Sequence, residues 1–398
     1  MSKIIVHIDL DAFFCRAEEI KNPSLEGTPF IVGGDGRKGI VSTCSYKARE
    51  YGIHSGMPTF QAKMLCKNLK ILPCDFEFYN LLSKEFINYL HKYSNLIQQM
   101  SIDECFLDLT NYYNKNNCNI NKTLIMMQKE LYDKTKLKCS IGVGTTKFIA
   151  KMASDYKKPL GITIIRNKDI EKILFPLPVK NFFGIGKKTY PKLQAIGIET
   201  IGDLYNASLN GNSKLINLLG NYTYDIPLFL EGKSSDVIET SIEEPKSIGM
   251  SRTLDYDTNN VEVIQNFLNN EITNVLISLK KEGKFIKTIT ISYKNASHET
   301  NFKMTSFSKT FKEYTKDESF IRNEANKLFL KSFNKEAIRL IGFSIKNFKN
   351  KNEVITQMTF DDYKYHEKES TSFLLINELN REFNKKIFIK CSDKLNKD

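Results

Sequence analysis

The chain begins with an alternating run over residues 4–10 that breaks off at Asp9-Leu10-Asp11. Alternation with a period of two marks a strand with one face buried. Residues 12–20 then take a helical period, which stops at Asn22-Pro23 because proline cannot continue a helix. Residues 30–33 and 39–43 read as two short strands around a Gly-rich turn, and 45–51 and 59–66 fit helices. Residues 78–93 have a clear helical period, and 97–109 are strand-like with acids in the middle. A helix at 122–134, a strand at 139–143, a helix at 146–156 and a strand at 161–165 complete a mixed α/β block.

From about 167 to 232 short helices with Gly turns replace the strand pattern, predicting a small all-α module. Residues 234–245 are polar and acidic, as in a linker. A second α/β unit spans about 246–348, with helices at 261–281 and 319–333 and strands at 285–293, 302–311 and 339–348. A second linker at 346–352 leads to a tail with one amphipathic helix, 372–383, and no internal repeat is visible.

Composition sharpens this. A chain of 398 residues with 41% hydrophobic content predicts two to four domains. Its net charge of +12 points to a polyanionic partner, with an anionic membrane surface as the rival. No apolar run of about 18 residues exists to span a bilayer, and the start of the chain lacks the pattern of a signal peptide. A cytoplasmic location follows as an expectation. The eight cysteines (Cys15, Cys44, Cys66, Cys74, Cys105, Cys118, Cys139 and Cys391) form no C-x-x-C pair and read as reduced core thiols. The five histidines lack zinc-ligand spacing. Of 58 basic residues only eight are Arg; with abundant Asn and Ile, this fits an AT-rich genome more than a mechanism.

The chemistry concentrates in acids. Asp9 ends the first strand, and Asp103-Glu104 interrupts the later strand run. Neighbours on a strand point to opposite faces, so both later acids can converge on Asp9 only from a tight turn. Apolar residues at 97–100 and 106–109 fit a hairpin with 101–104 near its tip. Three carboxylates so gathered repel one another and call for cations. Magnesium takes a few carboxylates and completes its octahedron with water and phosphate. Two such ions about 3.5–4 Å apart can activate a 3′-hydroxyl and stabilise a pyrophosphate leaving group. Asp11, directly before a helix, is expected as its N-cap.

Flanking motifs add to these acids. Asp9-Leu10-Asp11-Ala12-Phe13-Phe14 is followed by Ser42-Thr43-Cys44-Ser45-Tyr46-Lys47-Ala48-Arg49 and Gly56-Met57-Pro58. Ser101-Ile102-Asp103-Glu104-Cys105-Phe106 comes next, then Gly142-Val143-Gly144-Thr145-Thr146-Lys147, Ala150-Lys151-Met152-Ala153-Ser154 and Lys157-Lys158-Pro159. In this order and spacing, over about residues 2–348, the series resembles the Y-family translesion DNA polymerases, in their bacterial DNA polymerase IV branch. The resemblance implies an α+β multidomain right hand. Its expected parts are a palm (1–20 and 75–166), fingers (21–74), a thumb with a helix–hairpin–helix (167–233), a linker (234–245), a little finger (246–349) and a tail (350–398). It implies low-fidelity, template-directed addition of dNTPs to a primer, with primer–template DNA as partner and a monomeric chain. By the same match Asp9, Asp103, Glu104 and the Leu10 carbonyl hold two Mg2+ ions, which Mn2+ could replace. Tyr46, Arg49, Lys158 and, more weakly, Thr43 hold the triphosphate. Phe14 meets the sugar, with Phe13 beside it. Arg offers a fork, Lys a point charge and Tyr a hydroxyl, as a triphosphate needs.

Gly184-Ile185-Gly186-Lys187-Lys188, flanked by Lys180 and Lys192, looks like the hairpin of a helix–hairpin–helix that grips a DNA backbone. Related proteins often have Pro where this chain has Phe183. Residues 280–312 hold eight Lys and two Glu, among them Lys287, Lys294 and Lys303, expected as a stripe along the duplex. Tyr293, Phe302 and Phe307 between them are expected in the core. Gln357-Met358-Thr359-Phe360 resembles a shortened sliding-clamp peptide, with Asp361 where a second apolar residue is usual. Two other readings stay open: a palm-type nucleotide cyclase, which shares paired acids on a hairpin, and a DNA-binding protein without catalysis.

Overall fold

Strand β1 (Ile5–Leu10) is buried on both faces, so every residue in it is committed to one side or the other. Val6, Ile8 and Leu10 enter the main apolar core. Ile5, His7 and Asp9 face the opposite way, as the pleat requires. The computed structural model describes residues 3–36, 38–116, 119–241, 244–296 and 304–354. Two units make up the chain, Met1–Glu243 and Glu244–Asp398.

After β1 come α1 (Phe13–Lys21) and a small lobe made of β2 (Phe30–Gly33), β3 (Val41–Cys44), α2 (Tyr46–Arg49), α3 (Thr59–Leu65) and β4 (Lys70–Leu72). The lobe has its own core of Ile31, Val41, Ala48, Ile53 and Ala62 under a sheet of order β3-β2-β4. Strand β4 is three residues long, too short to show a period in the sequence.

The chain then returns through α4 (Phe76–Leu90), β5 (Ile97–Gln99), β6 (Glu104–Asp108), α5 (Thr110–Asn116), α6 (Ile120–Thr135), β7 (Cys139–Gly144), α7 (Lys147–Tyr156) and β8 (Ile162–Ile164). These strands join β1 in a sheet of order β5-β6-β1-β7-β8. Helices α1, α4 and α6 cover one face. Helix α7 lies on the other, very close to β7. A Cβ on Gly142 would stand 2.1 Å from the Ala150 carbonyl oxygen, so only glycine permits this approach.

Helices α8 (Ile170–Leu174), α9 (Tyr190–Gln194), α10 (Ile201–Leu209), α11 (Ser213–Leu219) and α12 (Tyr222–Leu230) form the expected all-α module. Its core is shared with Phe148, Ile149 and Met152 of α7, so the module is anchored to the helix that serves the acids.

The second unit contains β9 (Ser247–Thr258), α13 (Val261–Glu282), β10 (Phe285–Asn295), β11 (Met304–Thr315), α14 (Glu318–Ser332) and β12 (Ile338–Lys349). Its antiparallel sheet runs β11-β10-β12-β9. One face carries Ile289, Ile291, Tyr293, Ile341 and Phe343 into the core beneath the helices. The other presents Thr288, Thr290, Ser292, Ser306, Ser308, Thr310 and Ser344, with Gly249 and Gly342. Strand β9 is absent from the sequence expectations because small polar residues blur its alternation. Cys15, Cys44, Cys66, Cys74, Cys105 and Cys139 are free thiols, five of them buried, as expected; Cys118 and Cys391 lie outside the described residues, as does the tail helix.

Candidate active site

The turn between β5 and β6 is built by one serine. The N–H groups of Met100 and Ser101 donate to the Glu104 carbonyl at 3.0 and 3.3 Å. The Ser101 hydroxyl accepts from the N–H of Asp103 and of Glu104 at 3.3 and 3.2 Å, and donates to the Asp103 carboxylate at 2.5 Å. Glu104 opens β6 directly opposite Asp9 on β1, while the Leu10 N–H donates to the Asp103 carbonyl at 2.9 Å. Asp9 and Glu104 therefore share one face of the sheet and Asp103 stands at the turn beside them. This is the hairpin convergence expected from the sequence.

Helix α7, drawn in over Gly142, and the loop that follows it supply the counter-charges. The Lys151 ammonium lies 3.1 Å from Asp9 and 2.8 Å from Glu104. Lys158 lies 2.8 Å from both Asp9 and Asp155. From the sheet side, His7 Nε2 lies 3.3 Å from Glu104, and its Nδ1 is 2.8 Å from the Ser154 hydroxyl. The contact with His7, helped by Lys151 and opposed by burial, holds the Glu104 carboxyl at about 2. Burial pushes the Asp103 carboxyl up against the pull of Ser101, and repulsion from Asp9 and Glu104 adds to the rise. Burial works against the Lys151 charge, but Asp9, Asp155 and Glu104 outweigh it and raise its pKa.

Among the described residues no three acidic, histidine or cysteine side chains enclose one point. Asp103 is turned to Ser101, and Asp9 and Glu104 grip Lys151 between them. The donor chemistry still suits a hard divalent cation: three carboxylates on adjoining strand ends next to a main-chain carbonyl at Leu10.

Two of these acids, Asp9 and Asp103, line a pocket of about 260 Å3. Asp9, Leu10 and Asp103 line it together with Thr43, Tyr46, Arg49, Lys158, Phe13 and Phe14. The Arg49 guanidinium lies over the Tyr46 ring, 4.5 Å from its centre. Phe13 is buried, whereas Phe14 is half-buried and stacks on Tyr79 with ring centres 4.4 Å apart.

Asp11 does not cap α1. Ala12 holds the N-cap position, in the left-handed region at φ 45°, with no side-chain cap. The chain turns too sharply there for Asp11 to reach the helix N–H groups. Its carboxylate instead accepts from Ser140, Leu160 and Tyr46. Burial pushes this carboxyl up, while the Leu160 and Ser140 donors pull it down.

The other expected residues fall as follows. Gly184 has φ 101° and packs against the Tyr222 hydroxyl; Gly186 is open, and Lys187 and Lys188 are exposed beside it. The described lysines of residues 280–312 do not all share one face of the sheet. Lys287 lies over the Tyr314 ring at 5.3 Å, Lys309 pairs with Glu324 of α14, and Lys294 shares the hydroxyl face of the sheet with Lys346. Tyr293 is buried and Phe307 packs against the core, as expected. Phe302, Lys303, Gln357, Met358 and Phe360 lie outside the described residues.

Lys151 and Ser154 stand in the motif series without an assigned role, and His7 and Asp155 carry no expectation from the sequence. Two signals could have found them: His7 shares the face of Asp9 at a spacing of two, and Ser154 and Asp155 share the face of Lys151 at helical spacing.

Residues 8–155 match the model of the impB/mucB/samB family, and residues 245–360 match that of its C-terminal domain. The DNA polymerase IV of Oceanobacillus iheyensis is 32% identical over 395 residues, covering 98% of this chain and 92% of that protein. The DNA polymerase IV of Streptococcus agalactiae is 35% identical over 362 residues, covering 89% of this chain and 96% of that one. Among solved structures, a chimera of the Y-family polymerases Dbh and Dpo4 matches with TM-score 0.74 at 26% identity, covering 87% of this chain and 99% of its own. An insertion ternary complex of Dbh DNA polymerase matches at TM-score 0.57, with the same identity and coverage. These relatives disfavour the cyclase and the non-catalytic reading. The chain belongs to the impB/mucB/samB family and is a DNA-directed DNA polymerase of the translesion, Y-family type.

Proposed function

We propose that this polymerase adds dNTPs to a primer 3′ end at the site of Asp9, Asp103 and Glu104. The observation that carries the assignment is that Asp9 and Asp103 line one pocket with Tyr46, Arg49 and Lys158, while Glu104 stands directly opposite Asp9 on the neighbouring strand. Acids and cations lining one pocket match a triphosphate bridged to divalent metal. Asp9, Asp103, Glu104 and the Leu10 carbonyl would hold two Mg2+ ions, with Mn2+ as substitute. Bound there, the ions would activate the primer hydroxyl and stabilise the leaving pyrophosphate.

The remaining roles belong to the chain itself. Arg49 forks onto phosphate oxygens, Lys158 adds a point charge, and Tyr46 and Thr43 donate hydroxyls. Phe14 presses on the sugar, with Phe13 as its support. Gly184, Gly186, Lys187 and Lys188 receive the DNA backbone without reading its sequence. Lys294, Lys287 and Lys303 neutralise phosphates farther along the duplex. In this assignment residues 1–20 and 75–166 are the palm, 21–74 the fingers, 167–233 the thumb and 246–349 the little finger, joined by the linker 234–245. The tail, 350–398, docks on a sliding clamp through Gln357, Met358 and Phe360. The enzyme acts as a cytoplasmic monomer.

Asp103→Asn tests the site, since it keeps size and removes a charge. Primer–template affinity should hold, while nucleotide addition in Mg2+ falls by about 10²–10³-fold as stabilisation of the transferring phosphoryl group is lost. Addition at near wild-type rate would remove the assignment.

A further inference from the structure

Asp11 is only 4% exposed, yet its carboxylate belongs to neither the acids at the strand ends nor the helix that follows it. Its Oδ1 accepts the Ser140 hydroxyl at 2.8 Å and the Tyr46 hydroxyl at 3.4 Å. Its Oδ2 accepts the Leu160 N–H at 2.8 Å. Both oxygens are thus engaged by donors, which argues against a metal-ligand role. Each donor has a meaning for the pocket. Tyr46 opens α2 and carries the Arg49 guanidinium on its ring. Leu160 follows Lys158 by two residues, in a backbone held at φ 58°. Ser140 lies opposite Asp9 on β7. One buried carboxylate therefore joins the segment bearing Tyr46 and Arg49, the loop bearing Lys158, and the strand beside Asp9.

We propose that Asp11 is a positioning residue for the triphosphate of the incoming nucleotide, fixing Tyr46 and Lys158 relative to Asp9. This rests on the assignment of Tyr46, Arg49 and Lys158 to the triphosphate. Asp11 touches no reacting atom; it sets the spacing of the groups that do. Displacement of such groups by about 1 Å can cost about 10²-fold. The charge itself is not what the three donors need. An asparagine can offer its carbonyl to Leu160 N–H, while the Ser140 and Tyr46 hydroxyls rotate to accept from its amide.

Single-turnover incorporation by the full chain separates nucleotide Kd from the maximal rate. Asp11→Ala should raise dNTP Kd about tenfold or more, with a far smaller fall in maximal rate and unchanged DNA affinity. Asp11→Asn should recover most of the loss. Ser140→Ala removes one bond to Asp11 and no group of the pocket wall. It should raise dNTP Kd about threefold and be non-additive with Asp11→Ala in a double-mutant cycle. It also decides the matter if Asp11→Ala does not fold. Lys158→Ala serves as the reference. If Lys158→Ala weakens dNTP binding while Asp11→Ala or Ser140→Ala leaves Kd within about twofold of wild type, the positioning role is overturned and the triphosphate assignment stands. If Lys158→Ala leaves Kd unchanged, the triphosphate assignment falls and Asp11 loses its role with it. Equal losses of rate, DNA affinity and Tm in Asp11→Ala, without rescue by Asn, would make Asp11 a structural residue only.

Discussion

Phe14 stands five residues after Asp9, lines the same pocket and stacks on Tyr79. The Tyr79 hydroxyl is tied to Glu18 at 2.6 Å, and Phe76 meets the Phe14 ring edge-on with centres 5.8 Å apart. So braced, the Phe14 ring cannot retreat from a sugar pressed against it, and a ribose 2′-hydroxyl there would meet carbon and lose its hydrogen bonds. Phe14→Ala should keep dCTP incorporation opposite template G within about tenfold while raising CTP incorporation by orders of magnitude. Unchanged sugar discrimination in a folded Phe14→Ala protein would exclude the gate. Because Phe14 is half-buried, its loss should lower stability by less than the ~3–5 kcal/mol of a fully buried Phe. Phe14 was singled out by the family resemblance of the motif around Asp9, and the structure places it in the lining of the same pocket as Asp9. The sequence could not make Asp11 legible, because the partner Leu160 is 149 positions away and only the folded sheet brings them together. Lys151 is a similar case: its charge reads as a solvated helix residue until β7 admits α7 against the acids.

At the scale of elements, that admission depends on Gly142. The glycine interrupts the apolar pattern of β7 without breaking the strand, and its missing Cβ is the space occupied by the main chain of α7 at Ala150 and Ser154. Gly142→Ala should force the helix outward, costing about 1–3 kcal/mol as overpacking does. Lys151, Ser154 and Asp155 would move with it, so nucleotide addition should fall more than DNA binding. Thermal unfolding and primer extension on the same sample test this; an unchanged Tm would mean that the helix yields freely. Strands and helices with sustained periods were legible beforehand: β1, α4, α6, α13 and β10 all lie close to their expected positions. β4 and β9 were not. The first is too short to show a period. The second faces the hydroxyl side of its sheet with serine, threonine and glycine, which resemble loop residues in a single sequence.

At the scale of the molecule, the charge of +12 indicated a polyanion but not where it lies. The second unit sets its lysines in different surroundings. Lys309 is neutralised by Glu324, and Lys287 rests on Tyr314. Lys294 and Lys346 instead project from a sheet face of small hydroxyl residues, where Thr288 bonds Thr310 at 3.0 Å and Thr290 bonds Ser308 at 2.8 Å. Such a face is even and polar, and two cations stand on it without large side chains between them. A sugar–phosphate backbone can lie against it without steric clash or base readout. Replacing both lysines with glutamine should therefore weaken duplex binding equally for all sequences. The slope of log affinity against log salt should flatten by roughly 0.9 for each lysine that neutralises a phosphate, about 1.8 for the pair. Lys309→Gln, which breaks an ion pair already formed, should leave the slope nearly unchanged. Salt titrations of primer–template affinity on the three proteins would separate the cases. Equal flattening by Lys309→Gln would mean that the contact follows total charge rather than the hydroxyl face.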